Sequence, residues 1–545
     1  MRFLPLNHTN FIAELKDLDE TLALLSALQA AELPGLTDMI PAARTLMIGF
    51  SPAITSAEEL AGEILQLNLA QPVSRDDKCV EVPVNYNGED LADVAQITGL
   101  SVQEVIRRHT SRDYRVAFCG FAPGFGYLVG GDPALRVPRR KTPRTRIPAG
   151  AVGLAGEFSG VYPQASPGGW QLIGTTPLKM WDLTRTPPAY VQPGDRVRFV
   201  DLASAKRIVC TPPAIEPETS QPESETDKNA VRFSILAAPL PALFQDLGRF
   251  GQTGQGVSAS GALDRGAFKA ANRIAGNAET EPCLELTGGG FSFRSHGAAV
   301  IGITGAPCGI RIRTGAGKTL MPAPYTPIAL EDGDVVTLSA PQAGVRSYLS
   351  VRSGFKVQKV LGSASTDTLA NIGPDPVRAG SVLTIKKPAA GLSAVSLTEA
   401  PAFEFPKSGE TVTLDLILGP RPDWVLPQAL ALLSGEAWEV TAQSNRVGIR
   451  LTAPASLARA GSGELPSEGV VTGAVQVPPD GKPLLFLADH PLTGGYPVIG
   501  AVAGYHLDLA GQIPVGAKIR FRPVAPFSEI TPARPAHAKP QGPTP

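Results

Sequence analysis

Apolar residues recur at helical spacing in only a few places, all near the start of the chain. Residues 22–30 and 56–67 predict helices, and Ser56 with Glu59 three positions on fits a reciprocal capping box. The apolar runs at 45–50 and 80–84 read as strands, so residues 1–85 predict a small α/β domain. A further helix is expected at 101–109, opened by Ser101 and Glu104. His109 closes it, as a charge at a helix C-terminus. From about Tyr114 the period shortens to that of strands. The turn Pro193-Gly194-Asp195 leads into an alternating run ending at Phe199, and the same grammar follows Gly333, Gly380 and Gly516. Each copy reads as the closing strand of a separate β-barrel. The expected fold is mainly β with a small α/β N-terminal domain. Barrels are expected over 86–210 and within 231–527.

Composition sharpens this picture in three ways. The 57 Gly and 52 Pro in 545 residues favour many short strands and tight turns over long helices. Residues 211–230 are acidic, Pro-rich and poor in large apolar groups, so they predict a disordered linker between two folded halves. Residues 528–545 predict a disordered tail by the same argument. A net charge of −1 gives the whole molecule no electrostatic reason to bind nucleic acid or an anionic membrane. Five widely spaced cysteines without a CxxC, and an N-terminus unlike a signal peptide, set the expectation of a cytoplasmic protein with no structural metal site.

Candidate chemistry concentrates in residues 118–174. Arg136, Arg139, Arg140, Lys141, Arg144 and Arg146 fall together with no acid between them, and Pro138, Pro143, Pro148 and Pro163 stiffen the surrounding backbone. A Pro-pinned basic loop has already lost part of the entropy that ordering around an anion would cost. This predicts a preorganised pocket for a small anionic or carbonyl-rich ligand. In the second half, Glu468, Gln476, Asp480, Asp489, His490, Thr493 and Tyr496 lie on Gly/Pro-rich loops, where binding residues on a β scaffold usually sit. Other motifs do not hold. GAGKT at 315–319 has Ile312 where a phosphate loop needs glycine, and GVSASG has Ser260 where a nucleophile elbow needs one. Leu178-Lys179-Met180 is not a biotin attachment sequence, so no covalent biotin is expected on this chain.

The segments FAPGFGYL, PRRKTPRTRIPAGAVGLAGE and YPQASPGGWQLIG closely resemble the subunit 1 family of allophanate hydrolase, associated with the B-subunit of 5-oxoprolinase and the Kip inhibitor. GVSASGALDR, LELTGGG, SNRVGIRL, SEGVVTGAVQVPPDG and LADHPLTGGYP resemble the partner family, that of the 5-oxoprolinase C-subunit, although Pro491 and Val498 depart from its pattern. The chain thus resembles a fusion of the two. The resemblance implies cyclophilin-like β-barrels in both halves. It implies an ATP-dependent opening of 5-oxoproline to glutamate, with ATP and Mg²⁺ as co-substrate and a separate 5-oxoprolinase A-subunit as partner. Two alternatives follow from it: the carboxyltransferase part of a biotin-dependent urea carboxylase, and a non-enzymatic regulator of a histidine kinase. The partners expected are the A-subunit, a small amide substrate and further copies of the chain in a homo-oligomer, with no nucleic acid and no membrane.

On this reading Arg140, Arg144 and Arg146 hold carboxylate or phosphoryl oxygens, where guanidinium can bind bidentately. Glu468, Asp480, Asp489 and His490 are the candidates for proton transfer, and Tyr496, Gln476 and Thr493 for orienting hydrogen bonds. The amides of Gly168 and Gly169, or of Gly494 and Gly495, are candidates for an anion nest. Cations in one half and acids in the other predict a site between the two halves.

Overall fold

The computed structural model describes residues 1–69, 79–140, 142, 144–204, 230–388, 393–461, 463 and 465–533. The expected linker, apart from Ala230, lies outside the described residues, as do Cys210, Lys141 and the end of the expected tail. The chain is mostly β, with 34% strand and 15% helix. No helix among the described residues is long and apolar enough to cross a membrane.

The N-terminal unit is an antiparallel four-stranded sheet in the order Arg2–Pro5, Asn10–Glu14, Thr45–Phe50, Leu36–Pro41. Every residue of Thr45–Phe50 is buried, which requires cover on both faces of the sheet. Helices Leu18–Ala31 and Ala57–Ile64 cover one, through Leu24, Leu28, Leu60 and Ile64 against Phe11, Leu46 and Ile48. The second helix opens with the reciprocal box of Ser56 and Glu59. The other face, with Leu4, Ile12, Ile40 and Met47, packs on Val470, Phe486, Leu492 and Val498 of the second half.

Strand Cys79–Val84, expected with that unit, instead pairs in parallel with Arg196–Asp201 at one end of a seven-stranded sheet. Its Val80, Val82 and Val84 are buried with Val94, Val197 and Phe199, so its alternating face completes the second core rather than the first. His109, at the end of helix Val102–Thr110, is also placed differently. It is fully buried, with Nδ1 2.7 Å from the Tyr86 hydroxyl and Nε2 3.0 Å from Ser159 Oγ. Burial pushes its pKa down to about 3, so it is a neutral core histidine, not a cation at a helix end.

Residues 232–384 form a six-stranded and a five-stranded sheet packed around Phe233, Phe244, Leu284, Phe293 and Leu349. Strands between Thr411 and Pro523 form a closed barrel, in which Thr411–Leu418 lies parallel to Lys518–Pro523. First and last strands thus pair in parallel here and in the seven-stranded sheet. Gly194, Gly333, Gly380 and Gly516 all adopt positive φ, between 82° and 98°, and each precedes a strand. Two of those four strands, Val335–Leu338 and Val382–Thr384, belong to the same six-stranded sheet and close no separate barrel. The turn chemistry dictates a strand, not its partner.

The expected tail begins as ordered chain. Ile530 N donates to Phe3 O and Ala533 N to Glu58 O, both at 2.8 Å, and the Ile530 side chain joins the N-terminal core.

Candidate functional site

A cleft of about 760 Å³ lies between the seven-stranded sheet and the closed barrel, and its wall is built from both. On the first side, strand Gly126–Val129 and the loops around it carry aromatic rings. Phe125 meets Tyr127, Tyr162 and Trp170 edge-on, with centroids 5.1, 5.2 and 5.2 Å apart. Such contacts fix the rings against one another. Gly168 is a steric necessity here, since a Cβ would sit 2.4 Å from the Tyr162 hydroxyl. On the second side, strand Glu468–Gly469 pairs with Thr493–Gly494, and Gln476 Nε2 donates to Tyr496 O at 3.0 Å. The two sides meet closely: a Cβ on Gly120 would lie 2.4 Å from Thr493 Oγ1.

Arg140, Gly168, Gly169, Gln476, Thr493, Gly494, Gly495 and Tyr496 line this cleft, joined by Arg139, Tyr127, Trp170, Ser467 and Arg459. Burial pushes the Tyr127 hydroxyl up, against the opposing effects of Arg139, Ser467 and Thr493, so it is a neutral donor at ordinary pH. The described lining holds guanidinium, hydroxyl and amide groups and neither carboxylate nor imidazole. Chemically it can bind and polarise an anionic or carbonyl-bearing ligand.

The four residues expected to transfer protons lie outside it. Asp489 is fully buried, gripped by Arg446 through Nε and Nη2 at 3.0 Å each, by Ser260 Oγ at 2.6 Å and by Thr368 N at 2.9 Å. Burial raises its pKa, but Arg446 outweighs this and holds the carboxyl below its usual range. Glu468 is bound by Arg421, whose Nε lies 2.9 and 3.1 Å from its two oxygens. Asp480 is exposed and accepts from Lys482 N at 3.0 Å, closing a turn. His490 is buried, its Nδ1 2.9 Å from Pro491 O, and burial lowers its pKa. Each is committed to a structural partner.

The basic loop also differs from expectation. Arg144 donates twice to Asp90, from Nη1 and Nη2 at 2.8 Å each, and to Glu89 at 3.0 Å, while Arg140 also binds Asp90. Burial pushes the Asp90 carboxyl up, but the hydrogen bonds from Arg144 and Leu172 N outweigh it and hold the group low. Arg144 therefore has a counter-ion of its own, and Arg146 points to solvent, so three arginines do not converge on one anion. Asp90 is the residue that sequence reasoning missed. It occupies the N-cap of helix Leu91–Thr98 but makes no capping hydrogen bond, because its carboxylate is turned to the arginines. Asp followed by a helical pattern was the available signal; the diversion was not.

Residues 1–191 match the family model described as carboxyltransferase domain, subdomain C and D, and residues 255–523 the one described as subdomain A and B. The first half is 39% identical over 197 residues to the 5-oxoprolinase B-subunit of Bacillus subtilis, spanning 33% of this chain and 82% of that protein. The second half is 33% identical over 292 residues to the 5-oxoprolinase C-subunit of Escherichia coli, spanning 53% of this chain and 90% of that protein. Urea amidolyase of Saccharomyces cerevisiae is 32% identical over 294 residues, 51% of this chain but 16% of that protein. The crystal structure of TTHA0988 superposes with a TM-score of 0.78 at 34% identity, covering 95% of this chain and 100% of that one. The cleft thus lies between the C-terminal parts of two matched segments, and the chain belongs to the carboxyltransferase-domain family of the 5-oxoprolinase B- and C-subunits, both carried in one polypeptide.

Proposed function

We propose that this chain is the fused B–C component of an ATP-dependent 5-oxoprolinase, working with a separate A-subunit. The observation that carries the reading is the cleft, which neither half could form alone and whose described lining offers cations and neutral donors. A cyclic amide bearing a carboxylate suits it. The guanidinium of Arg139 and the edge of Arg140 not held by Asp90 through Nη1 take the carboxylate. From Tyr127, Ser467 and Thr493, hydroxyl groups are available to donate to the amide oxygen, where negative charge grows as the carbonyl is attacked, while Gln476 is held by Tyr496 O. The aromatic wall covers the ring methylenes and excludes water.

The one glycine-rich candidate for a nucleotide does not form a phosphate loop. GAGKT at 315–319 forms the turn between strands Ile310–Arg313 and Thr319–Leu320, not the entry to a helix. Among the described residues no group of three or more His, Cys, Asp or Glu could hold a metal ion. In this reading the nucleotide and its Mg²⁺ are handled by the A-subunit, and this chain binds and orients the amide. A second reading, carboxyl transfer within a urea carboxylase, is favoured by the description of both matching family models. There the same cations would hold the carboxylate being moved. The purified chain mixed with the A-subunit, ATP and 5-oxoproline is expected to release ADP and glutamate. Failure there, with urea carboxylated once biotin carboxylase and a biotin carrier are supplied, would overturn the first reading in favour of the second.

A further inference from the structure

The N-terminal unit contributes no described residue to the cleft lining, yet its sheet stands directly behind one wall. Ser467 lines the cleft. The next two residues, Glu468 and Gly469, pair with Gly494 and Thr493 of the opposite cleft strand. Behind this short ladder lies Arg421, 4% exposed, which binds Glu468 through Nε and Glu14 Oε1 through Nη2 at 2.7 Å. Glu14 belongs to the N-terminal sheet, and its other oxygen accepts from Arg2 at 2.7 Å. Two further contacts tie the same ladder to that sheet. Ala43 N donates to Ser467 O at 3.2 Å, and a Cβ on Gly469 would lie 2.6 Å from Met47 Cβ.

We infer that Glu14 and Arg421 are positioning residues for the cleft: the N-terminal unit clamps the strand Glu468–Gly469 through this ion triad and so sets where Ser467, Thr493 and Gly494 face the ligand. The inference rests on the cleft reading above and adds a task for a unit that touches no substrate. The chemistry fits the task. Glu468 is deeply buried, so burial pushes its carboxyl up while Arg421 opposes the rise. Glu14 is pulled the other way: burial raises its pKa, and the bonds and charges of Arg421 and Arg2 outweigh that and lower it. One guanidinium thus spans two carboxylates from different parts of the chain, and its fork geometry fixes their separation. Losing Glu14 leaves Arg421 answering to Glu468 alone, and the ladder free to shift.

The test measures 5-oxoproline binding to the full chain by calorimetry, with melting temperature recorded for every variant. Glu14→Gln is expected to weaken binding by about twofold to thirtyfold, the range for coupling through packed neighbours. Glu14→Asp should recover part of that loss. Arg2→Gln, which leaves Arg421 bound to both Glu14 and Glu468, should bind as the unaltered chain does. Thr493→Ala combined with Glu14→Gln should lose less than the two separate losses together, since both act on one ladder. Wild-type affinity in Glu14→Gln, alongside a clear loss in the control Arg140→Ala, would overturn the positioning role and leave the cleft reading standing. An Arg2→Gln loss as large as that of Glu14→Gln would overturn it too, by showing general stabilisation only. Unchanged binding in Arg140→Ala would bring down the cleft reading and this inference with it.

Discussion

Replacing Asp90 by Asn is expected to destabilise the protein substantially at neutral pH and to lose most of that effect in acid. The carboxylate is 1% exposed and accepts from Arg144 Nη1, Arg144 Nη2 and Leu172 N at 2.8 Å each, as well as from Arg140. Removing one partner of a buried ion pair costs about 3–5 kcal/mol when the remaining charge stays buried. Here the side chains of Arg144 and Arg140 keep 18% and 32% of their exposure, so water recovers part of the loss. A working figure is about 2–4 kcal/mol. The pH dependence has a definite sign. Burial raises the Asp90 carboxyl, the Arg144 and Leu172 bonds outweigh it, and the folded pKa lies below the ordinary 3.8. A depressed folded pKa contributes stability that is complete above the unfolded value and lost as pH falls through the folded one. Urea unfolding of wild type and Asp90→Asn, compared from neutral pH downwards, should therefore give curves well apart at about pH 6 that begin to draw together near the ordinary carboxyl value and meet only as pH falls through the lower folded one. A separation as large at pH 3 as at pH 6 would refute the ion-pair assignment. Coincident curves at neutral pH would refute the buried clamp itself.

Two further substitutions probe the junction and the acids. Gly120→Ala places a Cβ 2.4 Å from Thr493 Oγ1 and 3.0 Å from its Cγ2. Overpacking of this kind costs about 1–3 kcal/mol, read as a lower melting temperature and weaker 5-oxoproline binding, and adding Thr493→Ala, which removes the clashing Oγ1 and Cγ2, should restore part of the melting temperature. Asp489→Asn breaks a fully buried pair with Arg446 and should cost about 3–5 kcal/mol, measured by denaturation, while turnover per folded molecule with the A-subunit stays near that of wild type.

Glycine was the most legible feature of the chain, because its reasons are local. Gly194 and Gly516 sit in turns needing positive φ, and the closing strands follow within two residues. The helices opened by Ser56 and Ser101 were legible for the same reason: each Ser hydroxyl accepts from an amide three positions on. What the sequence could not display was the partner of each charge. Arg144 and Asp90 are 54 positions apart, Arg421 and Glu468 are 47 apart, and Arg421 and Glu14 are 407 apart. A run of six cations without an acid reads as a vacant anion site only while its counter-ion is out of view. Acids gathered on glycine-rich loops read as proton donors for the same reason.

Charges paired behind the cleft walls change what the site can do. With Asp90 answering Arg144 and Arg421 answering Glu468, what the described residues present to the cleft is a smaller set of guanidinium, hydroxyl and amide groups. An arrangement of that kind can hold and polarise a carbonyl-bearing ligand through positions fixed by buried ion pairs. The cleft depends on the two halves meeting closely, and at Gly120 they meet so closely that no Cβ fits beside Thr493.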